Sequence, residues 1–195
     1  MLLFAVFLVS SLFSASLAEF SFGKSCPDIS GKIIDVPDLH PYMGRWYEIK
    51  RYSTYFERGI DCNYAFYTFE TSPNDNDYIQ VNNTGYKDGV YTSIVGKATQ
   101  PYPPKGAFIV SFPVNPIVPS YPNYNIMALN TSSYVLIYNC RDVGIAPLNG
   151  VFEISWILAR EPSLSDDVIQ MLYGVADSLG IDTKLFQSTN QQNCP

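Results

Sequence analysis

Eight short runs rich in aromatic and β-branched residues, each closed by Gly, Pro, Asn or Asp, constrain this chain more than any other feature. They lie at 44–51, 63–70, 78–86, 91–99, 107–112, 124–129, 134–140 and 152–160. Such residues suit a pleated, half-buried surface better than a helix. The breaks carry turn chemistry. Ser72-Pro73-Asn74-Asp75-Asn76-Asp77 and Lys87-Asp88-Gly89 suit hairpins. Pro101, Pro103 and Pro104 end another strand, and Pro113, Pro116, Pro119 and Pro122 interrupt a longer loop. Eight strands at this spacing predict an all-β sandwich or barrel.

One segment has a different period. Val168, Ile169, Leu172, Val175, Ala176 and Leu179 recur at helical spacing. Ser165 is placed to cap the helix, Asp166 and Asp167 face its positive end, and Gly180 is placed to stop it. A single amphipathic helix after eight strands packs its apolar stripe on the outside of the sheet. Among 195 residues, 15 are Tyr and 12 are Phe. A net charge of −6 argues against nucleic acid as a partner.

Residues 1–18 read MLLFAVFLVSSLFSASLA, with no charge before Glu19 and small residues at Ser16 and Ala18. This is the pattern of a secretory signal cut after Ala18, leaving 19–195 as one domain that is soluble and extracellular. Cys26, Cys62, Cys140 and Cys194 are even in number and widely spaced, with no CxxC pair. His40 is the only histidine and reads as a surface residue, so no metal site is expected. Two disulfides made in an oxidising compartment fit best, and spacing alone leaves three pairings open. Sequons at Asn82-Asn83-Thr84 and Asn130-Thr131-Ser132 mark Asn82 and Asn130 as glycosylation candidates.

Alternation along the last strand places Phe152, Ile154, Trp156, Leu158 and Arg160 on one face. An arginine ending an apolar face needs a partner, and an aromatic ring inside the barrel would serve.

Gly44-Arg45-Trp46-Tyr47-Glu48 opening the first strand, Trp156-Ile157-Leu158-Ala159-Arg160 closing the last, the helix after it and the four cysteines form an ordered set. With Cys26-Pro27, Tyr138-Asn139-Cys140 and the terminal Asn193-Cys194-Pro195, the set resembles the lipocalins. Within them it is similar to the branch of apolipoprotein D and the insect bilin-binding proteins. The resemblance implies an eight-stranded antiparallel up-and-down barrel with one C-terminal helix outside. It implies Gly44, Trp46 and Arg160 as a structural motif at the closed end, with Arg160 across the Trp46 ring. It implies the pairing Cys26–Cys140 and Cys62–Cys194. Where the family usually carries Thr-Asp-Tyr, this chain has Leu129-Asn130-Thr131.

Parity and resemblance together point a set of side chains inward. They are Trp156, Ile154 and Leu158 from the last strand, Tyr67 and Phe69 from the second, and Val81 and Asn83 from the third. Phe108, Val110 and Phe112 come from the fifth, Ile126 and Ala128 from the sixth. The implied function is carriage of a small hydrophobic ligand, a bilin such as biliverdin or a fatty acid, sterol or retinoid-like lipid, with no cofactor required. A cell-surface receptor or self-association are the protein partners to consider. The alternative is a structural or interaction lipocalin in a pigment or matrix complex. Catalysis is the remote reading, since the enzyme branch uses a free cysteine and all four here match the paired pattern.

Overall fold

The computed structural model describes residues 20–73, 77–114, 118–145 and 148–195. The expected signal segment, the 74–76 part of the first turn and Pro116 lie outside the described residues. The strands are β1 (Phe20–Phe22), β2 (Gly44–Tyr52), β3 (Asp61–Glu70), β4 (Tyr78–Lys87), β5 (Val90–Thr99), β6 (Ala107–Ser111), β7 (Tyr124–Asn130), β8 (Tyr134–Ile145), β9 (Leu148–Ala159) and β10 (Phe186–Ser188). One helix, α1, spans Asp166–Ser178.

Strands β2 to β9 pair antiparallel in sequence order, and β9 pairs back onto β2 to close an eight-stranded barrel. The sequence expectation of eight strands holds. The two three-residue strands were not expected from it. β1 lies against β9, and β10 against β2. They cover edges that would otherwise expose unpaired backbone groups. The β4–β5 hairpin turns on Asp88 and Gly89, both with positive φ, between the paired Lys87 and Val90. Such a turn matches the right-handed twist of its strands, and glycine adopts its second position without steric cost.

The core has two parts. The inner cluster fills the closed end of the barrel around Trp46, Tyr42, Tyr67, Phe108, Ile126, Val135 and Ile137. The outer cluster joins the barrel wall to α1, with Leu172 and Ala176 fully buried against residues such as Ile157, Ala159, Leu136 and Tyr138. Helical spacing therefore gave the right face. Ser165 stands at the N-cap but makes no side-chain capping bond; Asp166 and Asp167 occupy the first turn as expected.

Three strand pairings slip in register among the described residues, β3 with β4 between Asp61 and Tyr64 and two more that bear on the site. Pairing of β7 with β8 slips between Ile126 and Ala128. Ile126 stays inside, and Ala128 packs in the outer cluster under the helix, contrary to the simple alternation used for it. Pairing of β2 with β9 slips between Glu48 and Lys50. Residues three apart in a regular strand point to opposite faces. The slip brings Arg51 round to Glu48, with Nη1 donating to Oε1 at 2.8 Å.

Disulfides Cys26–Cys140 and Cys62–Cys194 tie the N-terminal arm to β8 and the C-terminal tail to β3. Their sequence separations are 114 and 132 residues, so each closes a long loop.

Candidate functional site

The closed end of the barrel is locked by one arginine. Trp46 is 0% exposed, and its Nε1 donates to the Tyr42 carbonyl at 2.8 Å. The Arg160 guanidinium lies 3.8 Å from the Trp46 ring centroid. Its Nε donates to the Thr131 carbonyl, Nη1 to that of Arg45 and Nη2 to that of Pro41, at 2.8, 2.8 and 2.7 Å. One planar group thus joins the stretch before β2, β2 itself and the β7–β8 turn. Gly44 has a φ of +92°, and a Cβ there would sit 3.5 Å from Arg160 Nη1. Any L side chain would be strained at that φ. Asn130, exposed as the last residue of β7, accepts the Ser132 N–H and hydroxyl.

Above this floor lies a cavity of about 570 Å³. Its wall includes Trp156, Ile154 and Leu158 from β9, Tyr67 from β3, Val81 and Asn83 from β4, Phe108 and Val110 from β6, and Phe112 just after it. Phe69 shares their parity but lies beyond the floor, its ring 5.3 Å from that of exposed His40, and it is not part of the wall. Ile126 points inward but is 0% exposed below the cavity. Asn82 stands half-buried on β4, between Phe66 and Val95.

The floor is a chain of three tyrosines. Tyr42 and Tyr124 hydroxyls are 2.6 Å apart, and Tyr67 and Tyr124 hydroxyls 3.2 Å apart. Burial pushes all three phenols up, Tyr67 to about 12 and the others well above 10.0, so they stay neutral. Two hydrogen bonds use two of the three hydroxyl protons, which leaves one to donate to a ligand acceptor. Tyr124 shares a face with Ile126, so parity could have found it. Tyr42 lies in the 3₁₀ turn His40–Tyr42, outside any strand pattern.

The other polar group comes from the 53–60 loop between β2 and β3. Glu57 Oε2 accepts from Thr54 Oγ1 at 2.6 Å, and Oε1 accepts from Trp156 Nε1 at 3.2 Å. Burial, then the nearby Glu48 carboxylate, raises Glu57 to about 8. Glu48 is itself well served: its Oε1 accepts from Arg51, Asn63 Nδ2 and Thr189 Oγ1. Glu57 sits beside Phe56 and Arg58 in an irregular loop, where an acid reads as solvated. No sequence signal singled it out.

Lys50 bonds to Ser188 Oγ on β10, and Lys87 to the Arg58 carbonyl. His40 pairs with Asp38 at 2.9 Å, both exposed. All four cysteines are bonded, and the described residues contain no group of acids, histidines and cysteines able to hold a metal ion.

A barrel of this topology, closed by a Gly-x-Trp strand and an arginine over the tryptophan, has a matching family model: the lipocalin-like domain, over residues 37–191. The chain is a lipocalin. Apolipoprotein D of Mus musculus is 32% identical over 202 residues, covering 100% of this chain and 97% of that protein. Outer membrane lipoprotein Blc of Escherichia coli (strain K12) is 33% identical over 153 residues, 76% of each. Among solved structures, insecticyanin from the tobacco hornworm Manduca sexta superposes with a TM-score of 0.73 at 23% identity, covering 89% of each chain. Apocrustacyanin C1 superposes at 0.72 and 19% identity, covering 91% of this lipocalin and 94% of that chain. At these identities the two superpositions concern the fold alone.

Proposed function

We propose that this lipocalin is an exported carrier that holds one small hydrophobic molecule in its barrel, a bilin or a lipid such as a fatty acid, sterol or retinoid-like compound. The observation that carries the reading is the cavity of about 570 Å³, walled by aliphatic and aromatic side chains with Trp156 among them. That volume is within the range of small-molecule sites. Removing about 300 Å² of ligand apolar surface from water contributes about 7 kcal/mol before ordering costs, enough for micromolar binding. The three-tyrosine floor and Glu57 supply the few polar contacts that orient such a ligand.

Export is supported by the apolar first 18 residues and by two long-range disulfides, which persist in oxidising compartments. Asn130, exposed at the end of β7, is the better placed of the two glycan acceptors. With every cysteine bonded, the cavity has no thiol to act as a nucleophile.

The test is native mass spectrometry of the protein secreted from eukaryotic cells, with its visible spectrum. One small molecule bound per chain is expected, and a red absorption band would make it a bilin. A protein that emerges empty and takes up none of biliverdin, retinol or a long-chain fatty acid would refute the carrier reading.

A further inference from the structure

Apart from the tyrosine floor and scattered Ser, Thr and Asn side chains, the polar groups of the cavity gather where the 53–60 loop meets β2, β3 and β9, and two acceptors stand there. Glu57 reaches in from the 53–60 loop, held by the Thr54 hydroxyl and the Trp156 indole. Both of these donate to it, so the protein treats its carboxyl as an acceptor. The charged groups acting on Glu57 are Glu48 and Arg51, both on β2, while β9 offers it only the neutral indole. Arg51 is engaged with Glu48 at 2.8 Å. No ion pair joins Glu57 to a cation among the described residues. A second observation lies in the same wall. Asn63 is 8% exposed and donates through Nδ2 to Glu48, but its Oδ1 has no hydrogen-bond partner. A shielded carboxyl without a cation and a buried carbonyl without a donor lack the same kind of partner.

We propose that Glu57 is the polar anchor of the cavity, and that the ligand it selects is a hydrophobic molecule carrying a protonated nitrogen, an amine or a ring N–H, rather than a carboxylate. The proposal rests on the carrier reading above and narrows it. A nitrogen-borne proton supplies the charge or donor that Glu57 lacks. A carboxylate at that place would face the charged Glu48 and would bind only while Glu57 keeps its proton, whereas a cation draws that proton off and pairs with the charge left on Glu57. The net charge of −6 also favours approach of a cation over an anion.

The experiment uses three probes with the same twelve-carbon tail: dodecylamine, dodecanol and dodecanoate. Each is titrated calorimetrically at pH 7 into the delipidated full-length secreted protein and into Glu57→Gln. The expected result for the wild type is dodecylamine at least tenfold tighter than dodecanoate, with dodecanol between them. In Glu57→Gln, which keeps an acceptor for the indole, the amine-to-acid ratio should fall at least tenfold. The wild-type preference can be read even if the variant does not fold. Dodecanoate binding as tightly as dodecylamine in the wild type, or an unchanged ratio in Glu57→Gln, would overturn the proposal. If dodecanol binds and the amine has no advantage, only this proposal falls. If none of the three binds, the carrier reading falls with it.

Discussion

Replacing Arg160 by alanine should remove the lock on the closed end of the barrel, and the structure allows its cost to be worked out. The guanidinium stands 3.8 Å from the Trp46 centroid, a desolvated stacking worth about 1–2 kcal/mol. Of its three bonds to carbonyls, those to Arg45 and Pro41 are exposed, so water can replace them at little loss. The bond to Thr131 is partly buried, and a charged donor there is worth about 1.5 kcal/mol or more. The sum is about 3 kcal/mol. In a domain of this size that is a fall in Tm of about 6–12 °C. Arg160→Lys keeps a cation near the ring but cannot span three carbonyls, so it should lose about half as much. Urea unfolding of delipidated protein, followed by far-UV circular dichroism, measures both, with m unchanged. An alanine variant within about 1 kcal/mol of wild type would refute the reasoning, because Trp46 would then be held by packing alone.

Further consequences follow from the same geometry. Cys62→Ser with Cys194→Ser frees a loop of 132-residue separation; chain entropy puts the loss at about 4–5 kcal/mol, and a urea midpoint unchanged from wild type would contradict it. Tyr124→Phe takes the middle member from the tyrosine chain and strands two buried hydroxyls, so unfolding free energy should drop by about 1–3 kcal/mol, again read from urea curves. Glu57 gives an unusual pH dependence. Its pKa is raised on folding, from 4.5 to about 8, so between those values the native state binds more protons than the unfolded chain. Stability contributed by this group is therefore full below about pH 4.5 and declines as pH rises towards 8. Asp28 and Asp38, held below 3.8 by bonds from Ser30 and His40, act in the opposite sense and only at lower pH. Subtracting the Glu57→Gln stability curve from that of wild type should leave this falling limb; a flat difference would show that Glu57 is solvated.

The regular parts of the fold were legible because hydrophobic alternation survives wherever pairing is unbroken. β8 and β9 pair without a slip from Tyr134↔Ala159 to Ile145↔Leu148, and the inward face read for 152–160 is the face observed. Reading by twos fails where the backbone inserts a residue. One bulge carries Ala128 to the outside, and another carries Arg51 to the inside, and neither is marked by Gly or Pro. Alternation also says nothing about depth along the barrel, which is why Phe69 and Ile126 were grouped with cavity residues although both lie at the closed end. Glu57 was missed for a third reason: loops have no period, and the donors that hold it, Thr54 and Trp156, are 3 and 99 residues away.

The central claim is that the barrel interior holds one hydrophobic molecule against Trp156. Blocking the space tests it most directly. Ile94 on β5 is half-buried and belongs to the cavity wall, opposite Asn83. Ile94→Trp should fill room that the ligand needs. The measurement is the molar ratio at saturation, by titration of biliverdin, retinol and a long-chain fatty acid into wild-type protein and the variant, matched for circular dichroism. One molecule per wild-type chain for at least one of the three, and at least a tenfold weaker affinity in Ile94→Trp, is expected. Equal affinity in the two folded proteins would place the ligand outside the barrel and contradict the claim.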